Sequence, residues 1–164
     1  MIHVVIGDGK GKTTSAVGLT VRAAGHGLSV LFVQFLKDDH SGEISILKTI
    51  ESVSVKHSQV HYGFTFQMTP EQLKETSEEC AKLIDFAKKS KADLIVLDEV
   101  LHALNAGLVK KEQLESLLDT NQEIVLTGHD APEWLIHCAD YVTQVQKVKH
   151  PFDLGVLGRP GIEY

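Results

Sequence analysis

The sequence predicts an α/β protein with a largely parallel central sheet flanked by helices, and three of its features lead there. Short β-branched runs recur at 2–6, 29–34, 94–97, 123–126 and 141–145. Most are separated by stretches of helical periodicity, and strands that alternate with helices build parallel sheets. The first run also feeds directly into a glycine-rich turn that opens a helix.

With 164 residues the chain can bury one sizeable core but hardly two, so a single domain over 1–164 is expected. Hydrophobic residues make up 43% and charged residues 23%, the balance of a globular protein. The apolar runs are far shorter than the roughly 20 residues of a membrane span. The start, Met1-Ile2-His3-Val4, lacks the basic and apolar regions of a signal peptide, which makes a cytoplasmic protein with no membrane partner the expectation. A net charge of -6 argues against nucleic acid as a partner. Cys80 and Cys138 are far apart, lack metal-ligand spacing, and read as reduced, mostly buried helical residues.

Along the chain, strand 2–6 is followed by a helix over about 13–24, which Gly25 and Gly27 should end in a left-handed turn. Strand 29–34 comes next. The best-marked helix opens at Thr69-Pro70-Glu71-Gln72, where threonine caps, proline fits the first turn, and glutamine closes a capping box. Leu73, Cys80, Leu83, Ile84 and Ala87 share one face of it, for packing on the sheet. Segments 37–43 and 57–68 read as mobile loops, and 148–164 as an irregular tail that folds over the sheet edge or the active site.

The strongest chemical signal is Gly7-Asp8-Gly9-Lys10-Gly11-Lys12-Thr13-Thr14. Glycines let the backbone wrap with its N–H groups inward, and the helix start adds a positive dipole end. Lys12 offers a charge for phosphate oxygens and Thr13 a hydroxyl for Mg²⁺. The general pattern places glycine at position 6, where this chain has Ile6, so the loop is one residue short. Strand 94–97 runs into Asp98 and Glu99, and the carboxyl ends of parallel strands share one edge. One of these acids is expected to hold Mg²⁺, directly or through water. Gly128-His129-Asp130 follows another strand and should lie at the same edge.

Several segments together resemble the P-loop type of ATP:corrinoid adenosyltransferase. They are 7–14, Arg-Ala-Ala-Gly-His-Gly at 22–27, Val-Gln-Phe-Leu-Lys at 33–37, Gly-Phe-Thr-Phe at 63–66, Val-Leu-Asp-Glu at 96–99, Lys-His-Pro-Phe-Asp at 149–153 and Gly-Ile-Glu-Tyr at 161–164. The similarity covers essentially the whole chain, and the short P-loop is itself a family trait. It implies a RecA-like P-loop fold, a homodimer, and a reaction in which Co(I) of a corrinoid takes the 5′-deoxyadenosyl group of ATP and triphosphate leaves.

On that resemblance Lys12, Glu99, Phe64 and Phe66 are the catalytic residues, and Gly7, Asp8, Gly9, Lys10, Gly11, Lys12, Thr13 and Thr14 bind ATP. Thr13, Asp98 and Glu99 hold Mg²⁺, or Mn²⁺ in its place. Phe64 and Phe66 match an aromatic pair that crowds the lower face of the corrinoid, although the family commonly has tryptophan at the second place. Cobalamin, cobinamide or cobyrinic acid diamide is the implied co-substrate, with a flavoprotein reductase as partner. The chain departs from the family at Val100-Leu101-His102, at His129 and over 156–160. An ATPase or small-molecule kinase, and a non-catalytic nucleotide- or corrinoid-binding protein, are the alternatives.

Overall fold

The computed structural model describes residues 1–37 and 41–163. Asp38, Asp39 and His40 of the expected loop 37–43, and Tyr164 of the Gly-Ile-Glu-Tyr segment, lie outside the described residues. Six strands form one sheet: β1 Ile2–Ile6, β2 Val30–Gln34, β3 Val53–His57, β4 Leu94–Asp98, β5 Glu123–Thr127 and β6 Tyr141–Gln144. Their order is β3-β2-β4-β5-β1-β6, and every pairing is parallel. This is a RecA-like P-loop arrangement, in which β5 separates the strand before the glycine-rich loop from the strand that carries the acids.

Helices cover both faces of the sheet. On one side α1 (Lys12–Gly25) and α2 (Gly42–Leu47) pack Ala16, Ala23, Ile44 and Leu47 against Phe32, Val96 and Val125. On the other, α3 (Pro70–Lys88), α4 (Val100–Asn105), α5 (Lys111–Leu118) and α6 (Glu133–Cys138) meet Val33, Ile95, Leu97, Ile124 and Leu126. The neighbours Val96 and Leu97 thus serve opposite cores, as strand alternation requires. That double burial explains why β2 and β4 read as unbroken apolar runs. Each fully buried Leu, Ile or Phe contributes about 1.5–3 kcal/mol.

The helix signals are realised in detail. Thr69 accepts from Gln72 N–H while Gln72 accepts from Thr69 N–H, completing the capping box of α3. At the end of α1, Gly27 takes φ 80°, and Leu28 and Gly27 donate back to the carbonyls of Ala23 and Ala24. That is the Schellman closure, and the left-handed residue in it favours glycine.

Three features differ from the sequence reading. Strand β3 was not foreseen; its Val53-Ser54-Val55-Lys56 alternation is only four residues long, and pairing with β2 at the sheet edge fixes it. Cys138 is exposed, not buried, because α6 ends there in one short turn, whereas Cys80 is buried and its thiol is pushed up to about 12 by burial. The segments read as loop and tail each contain a single 3-10 turn, at Thr65–Gln67 and Pro151–Leu154.

Two glycines in this frame have opposite requirements. A Cβ on Gly128 would stand 2.5 Å from Cβ of Leu101, while Gly18 in α1 has open space around it. Gly128→Ala is expected to lower stability by about 1–3 kcal/mol through overpacking, and Gly18→Ala to raise it by up to about 1 kcal/mol through helix propensity. Urea denaturation of the two variants measures both signs.

Candidate functional site

Each strand of the central sheet ends at one edge, and the polar residues gather there. The glycine loop leaves β1, Lys37 follows β2, Asp98 and Glu99 end β4, and Thr127 ends β5. The loop's shape depends on Gly7 and Gly11, which take φ of 119° and 118°. Gly7 and Gly9 also press on the chain after β6: a Cβ on Gly7 would lie 2.2 Å from the carbonyl oxygen of Val145, and one on Gly9 2.9 Å from the carbonyl carbon of Gln146. Gly9 N–H donates to Val145 O at 2.9 Å, and Gly7 N–H to His129 O at 2.8 Å. The loop is therefore braced by its neighbours in the fold.

Helix α1 starts at Lys12, directly after the left-handed Gly11, and its unpaired N–H groups face the loop. Lys12 Nζ donates to Gly9 O at 2.9 Å, which keeps the ammonium over the loop. Asp8 turns outward and accepts from the backbone N–H of Lys147 at 2.9 Å, which holds its carboxyl below the ordinary range. Its role here is to fasten the loop to the tail.

Asp98 is the most constrained group of the site. It has no solvent exposure. Oδ1 accepts from the hydroxyls of Thr13 (2.9 Å) and Thr127 (2.8 Å), and Oδ2 from Lys37 Nζ (3.1 Å) and Gln34 Nε2 (3.3 Å). A buried carboxylate is tolerable only with such a full set of donors.

Glu99 adopts a left-handed φ of 63°, an unusual conformation for a residue with a side chain, which swings its carboxylate off the strand line. Its backbone N–H donates to Thr127 Oγ1 at 2.9 Å. Burial alone would raise the Glu99 carboxyl, but the contact with His102 and the charges of Lys37 and Lys12 outweigh it and set it below the ordinary range. The same contact with the Glu99 carboxylate raises His102. On Lys37 burial acts first and downward, yet Asp98 and Glu99 together leave it raised.

Beside this centre lies an open cleft of about 1030 Å³. Thr13 and Thr14 line its floor, Glu43 and Ile46 of α2 one wall, Phe64 another, and Ile162 of the tail its rim. Phe64 and Phe66 stack with ring centroids 5.4 Å apart, and they are 68% and 80% exposed. Large apolar rings this exposed are unused as core, and Phe64 is the one of the pair that faces the cleft. The tail comes back to the loop through Glu163, which accepts from Lys10 Nζ at 3.0 Å and from Arg159 Nε and Nη2, both at 3.1 Å.

The sequence reading of the site omitted Gln34, Lys37 and Thr127 as partners of Asp98, and Arg159 with Glu163 as the clasp on Lys10. The first three stand at or just after the carboxyl ends of β2 and β5, the place where ligands collect in parallel sheets, and that rule could have found them. Nothing local in the sequence marks the clasp. His129 is placed at the edge as expected, with its carbonyl on Gly7.

The residues fit a magnesium-bound polyphosphate. Thr13 Oγ1, Asp98 and Glu99 bring oxygens to one point, and a cation, the ammonium of Lys37, already stands among them. The buried Gln34 Oε1 is a further oxygen without a partner among the described residues. No group of three or more His, Cys, Asp or Glu is poised for a metal among the described residues. Mg²⁺ takes one or two carboxylates and leaves other positions to phosphates and water.

The chain is similar to known proteins along its whole length. Residues 1–164 match the family model described as ATP:corrinoid adenosyltransferase BtuR/CobO/CobP. Corrinoid adenosyltransferase CobA of Salmonella typhimurium is 34% identical, over 100% of this chain and 85% of the relative. The corrinoid adenosyltransferase of Escherichia coli strain K12 is 33% identical with the same coverage. That of Pseudomonas aeruginosa is 33% identical over 96% of this chain and 80% of its own length. Among the described residues no helix is long and apolar enough to cross a membrane.

Two outcomes follow from the geometry. Asp98→Ala leaves Lys37 and two hydroxyls without their acceptor and is expected to cost about 3–5 kcal/mol, read by urea denaturation. Glu163, held at about 2 by Arg159 first and then Lys10, lies below its ordinary 4.5. Its hold on the tail is therefore complete above that ordinary value and fades as pH falls toward 2. Glu163→Gln should speed carboxypeptidase digestion of the tail at neutral pH, and added salt should do the same to the unaltered chain, because the contact lies at the surface.

Proposed function

The chain belongs to the family of ATP:corrinoid adenosyltransferases, and we propose that it performs the family's reaction with the triphosphate of ATP in the loop 7–14 and the corrinoid against Phe64 and Phe66. The observation that carries this reading is the union, at one sheet edge, of a phosphate loop with an open cleft whose wall is an exposed aromatic pair. A plain ATPase has no use for such a wall.

The substrate corrinoid in its Co(I) state supplies an electron pair to the 5′ carbon of the ribose. A Co–C bond forms, the C5′–O bond breaks, and its electron pair departs with the triphosphate, leaving cobalt formally Co(III). No protein nucleophile or general base is required, because no proton moves in this step. The protein has two tasks: to align carbon and cobalt, and to stabilise charge on the leaving group. Lys12 and the N–H groups at the start of α1 meet the triphosphate oxygens. Mg²⁺, or Mn²⁺, held by Thr13 with Asp98 and Glu99, would add positive charge against the same leaving group.

Glu99 acts through position: its left-handed backbone aims the carboxylate at Lys37 and His102, 3.8 Å and 3.6 Å away. Phe64 and Phe66 offer an apolar plate to the flat corrinoid. Such a plate disfavours an axial water or base on cobalt and so eases reduction to Co(I). A flavoprotein reductase as electron donor, and cobalamin, cobinamide or cobyrinic acid diamide as acceptor, complete the reading. A homodimer is part of it too, supported by the apolar surface that Tyr141, Val142, Phe152 and Leu157 expose along β6 and the tail.

The test is an anaerobic assay with chemically reduced cobalamin or cobinamide and MgATP, following the light-sensitive adenosyl-corrinoid spectrum and the phosphate product. Adenosyl-corrinoid with triphosphate is the expected result; ADP would point to an ATPase or kinase, and ATP binding without turnover to a sensor. Lys12→Ala should weaken ATP binding by about a hundredfold or more. Phe66→Ala should leave ATP affinity unchanged and slow adenosylation from Co(II) far more than from pre-reduced Co(I).

A further inference from the structure

Lys37 belongs to neither the phosphate loop nor the acid pair, yet it stands between them. Its Nζ lies 3.1 Å from Thr13 Oγ1, 3.1 Å from Asp98 Oδ2 and 3.8 Å from Glu99 Oε1. These are the same three side chains that would hold the divalent cation of the nucleotide. A lysine ammonium and a divalent ion cannot occupy one set of oxygens together, since like charges at contact distance repel strongly away from bulk water.

Lys37 also has somewhere to go. Its side chain is 32% exposed and lines the cleft next to Thr13 and Thr14, on the side where the triphosphate would lie. A lysine stem is flexible and its ammonium is a point charge without directional demand, so the same group can serve a carboxylate or a phosphate.

We propose that Lys37 is a resident counter-cation of the Thr13–Asp98–Glu99 centre that competes with the divalent ion and, once displaced, turns onto the triphosphate. The proposal rests on the reading of this loop as a triphosphate site and adds a consequence for specificity. A divalent ion alone must expel Lys37 from the buried acid with no anion to receive it, so it binds weakly. With a polyphosphate in the loop the expelled ammonium gains a partner, and metal and polyphosphate then bind cooperatively. Linkage makes the effect reciprocal: each ligand strengthens the other by the same factor. Lys37 thereby selects the metal–polyphosphate complex over either component, acting as a positioning and specificity residue.

The experiment uses Mn²⁺ and inorganic tripolyphosphate, so that it stands apart from any corrinoid chemistry. Protein-bound Mn²⁺ is measured by equilibrium dialysis, as the excess of Mn²⁺ on the protein side, with and without tripolyphosphate on both sides, for the unaltered protein, Lys37→Met and Lys37→Arg. Lys37→Met should bind Mn²⁺ alone about tenfold more tightly and lose most of the tripolyphosphate-induced gain, while Lys37→Arg keeps the weak binding. Mn²⁺ affinity that is unchanged or weaker in Lys37→Met overturns the competition while leaving the family's reaction untouched.

Because removing Lys37 leaves Asp98 short of a donor, a second readout uses the unaltered protein. Amine-reactive labelling of Lys37, quantified by mass spectrometry, should rise several-fold when saturating Mn²⁺ is added and fall when tripolyphosphate follows. Labelling that ignores bound Mn²⁺ overturns the proposal. If Mn²⁺ fails to bind even with tripolyphosphate, the metal assignment falls and the competition with it.

Discussion

A carboxylate taken out of water must find donors inside the protein, and the arrangement around Asp98 is organised by that requirement. Thr13 comes from the start of α1, Gln34 and Lys37 from the end of β2, and Thr127 from the end of β5. Four contacts from three neighbouring segments converge on a residue with no exposure. They tie the phosphate loop, the acid pair and the β5 turn to one buried carboxylate. The sheet supplies the spacing and the buried acid supplies the register.

The second constraint is steric. The loop 7–14 is one residue shorter than the general phosphate-binding pattern, yet it is not slack. Gly7 and Gly9 lie so close to the backbone of Val145 and Gln146 that no side chain would fit. The missing residue is compensated by contact with the segment after β6, and Asp8 adds a tie to Lys147. Strand β6 is itself exposed along its whole length, and the loop's close contacts are with Val145 and Gln146, just after it. The tail then returns over Lys10 through Glu163, bringing Ile162 to the rim of the cleft.

These constraints suit a reaction in which the whole triphosphate is the leaving group. A phosphoryl-transfer enzyme must direct a base or a water at phosphorus. On the proposed reading the attacking atom is a metal centre of the substrate, which asks for a firm grip on one end of ATP and a flat apolar wall at the other. The loop for the triphosphate is braced by hydrogen bonds to the residues around it. The wall is two exposed rings stacked on each other, which on that reading would receive the flat corrinoid.

The sequence by itself determined the layer architecture, the phosphate loop, the capped helix at Thr69 and the acid pair, because each is written in local signals: glycine spacing, capping residues, apolar periodicity. It did not disclose β3, whose alternation is only four residues long, or the exposure of Cys138, where a short helix ends early. Strand-end position could nominate Lys37 and Thr127 for the site but not their common contact with Asp98, and nothing local announced that Glu163 clasps Lys10, 153 residues away. Those pairings depend on the order of strands in the sheet and on the return path of the tail. Only the tertiary structure decides them, because parallel strand ends become neighbours through packing of helices on both faces, and nothing in the local chain encodes which ends will meet.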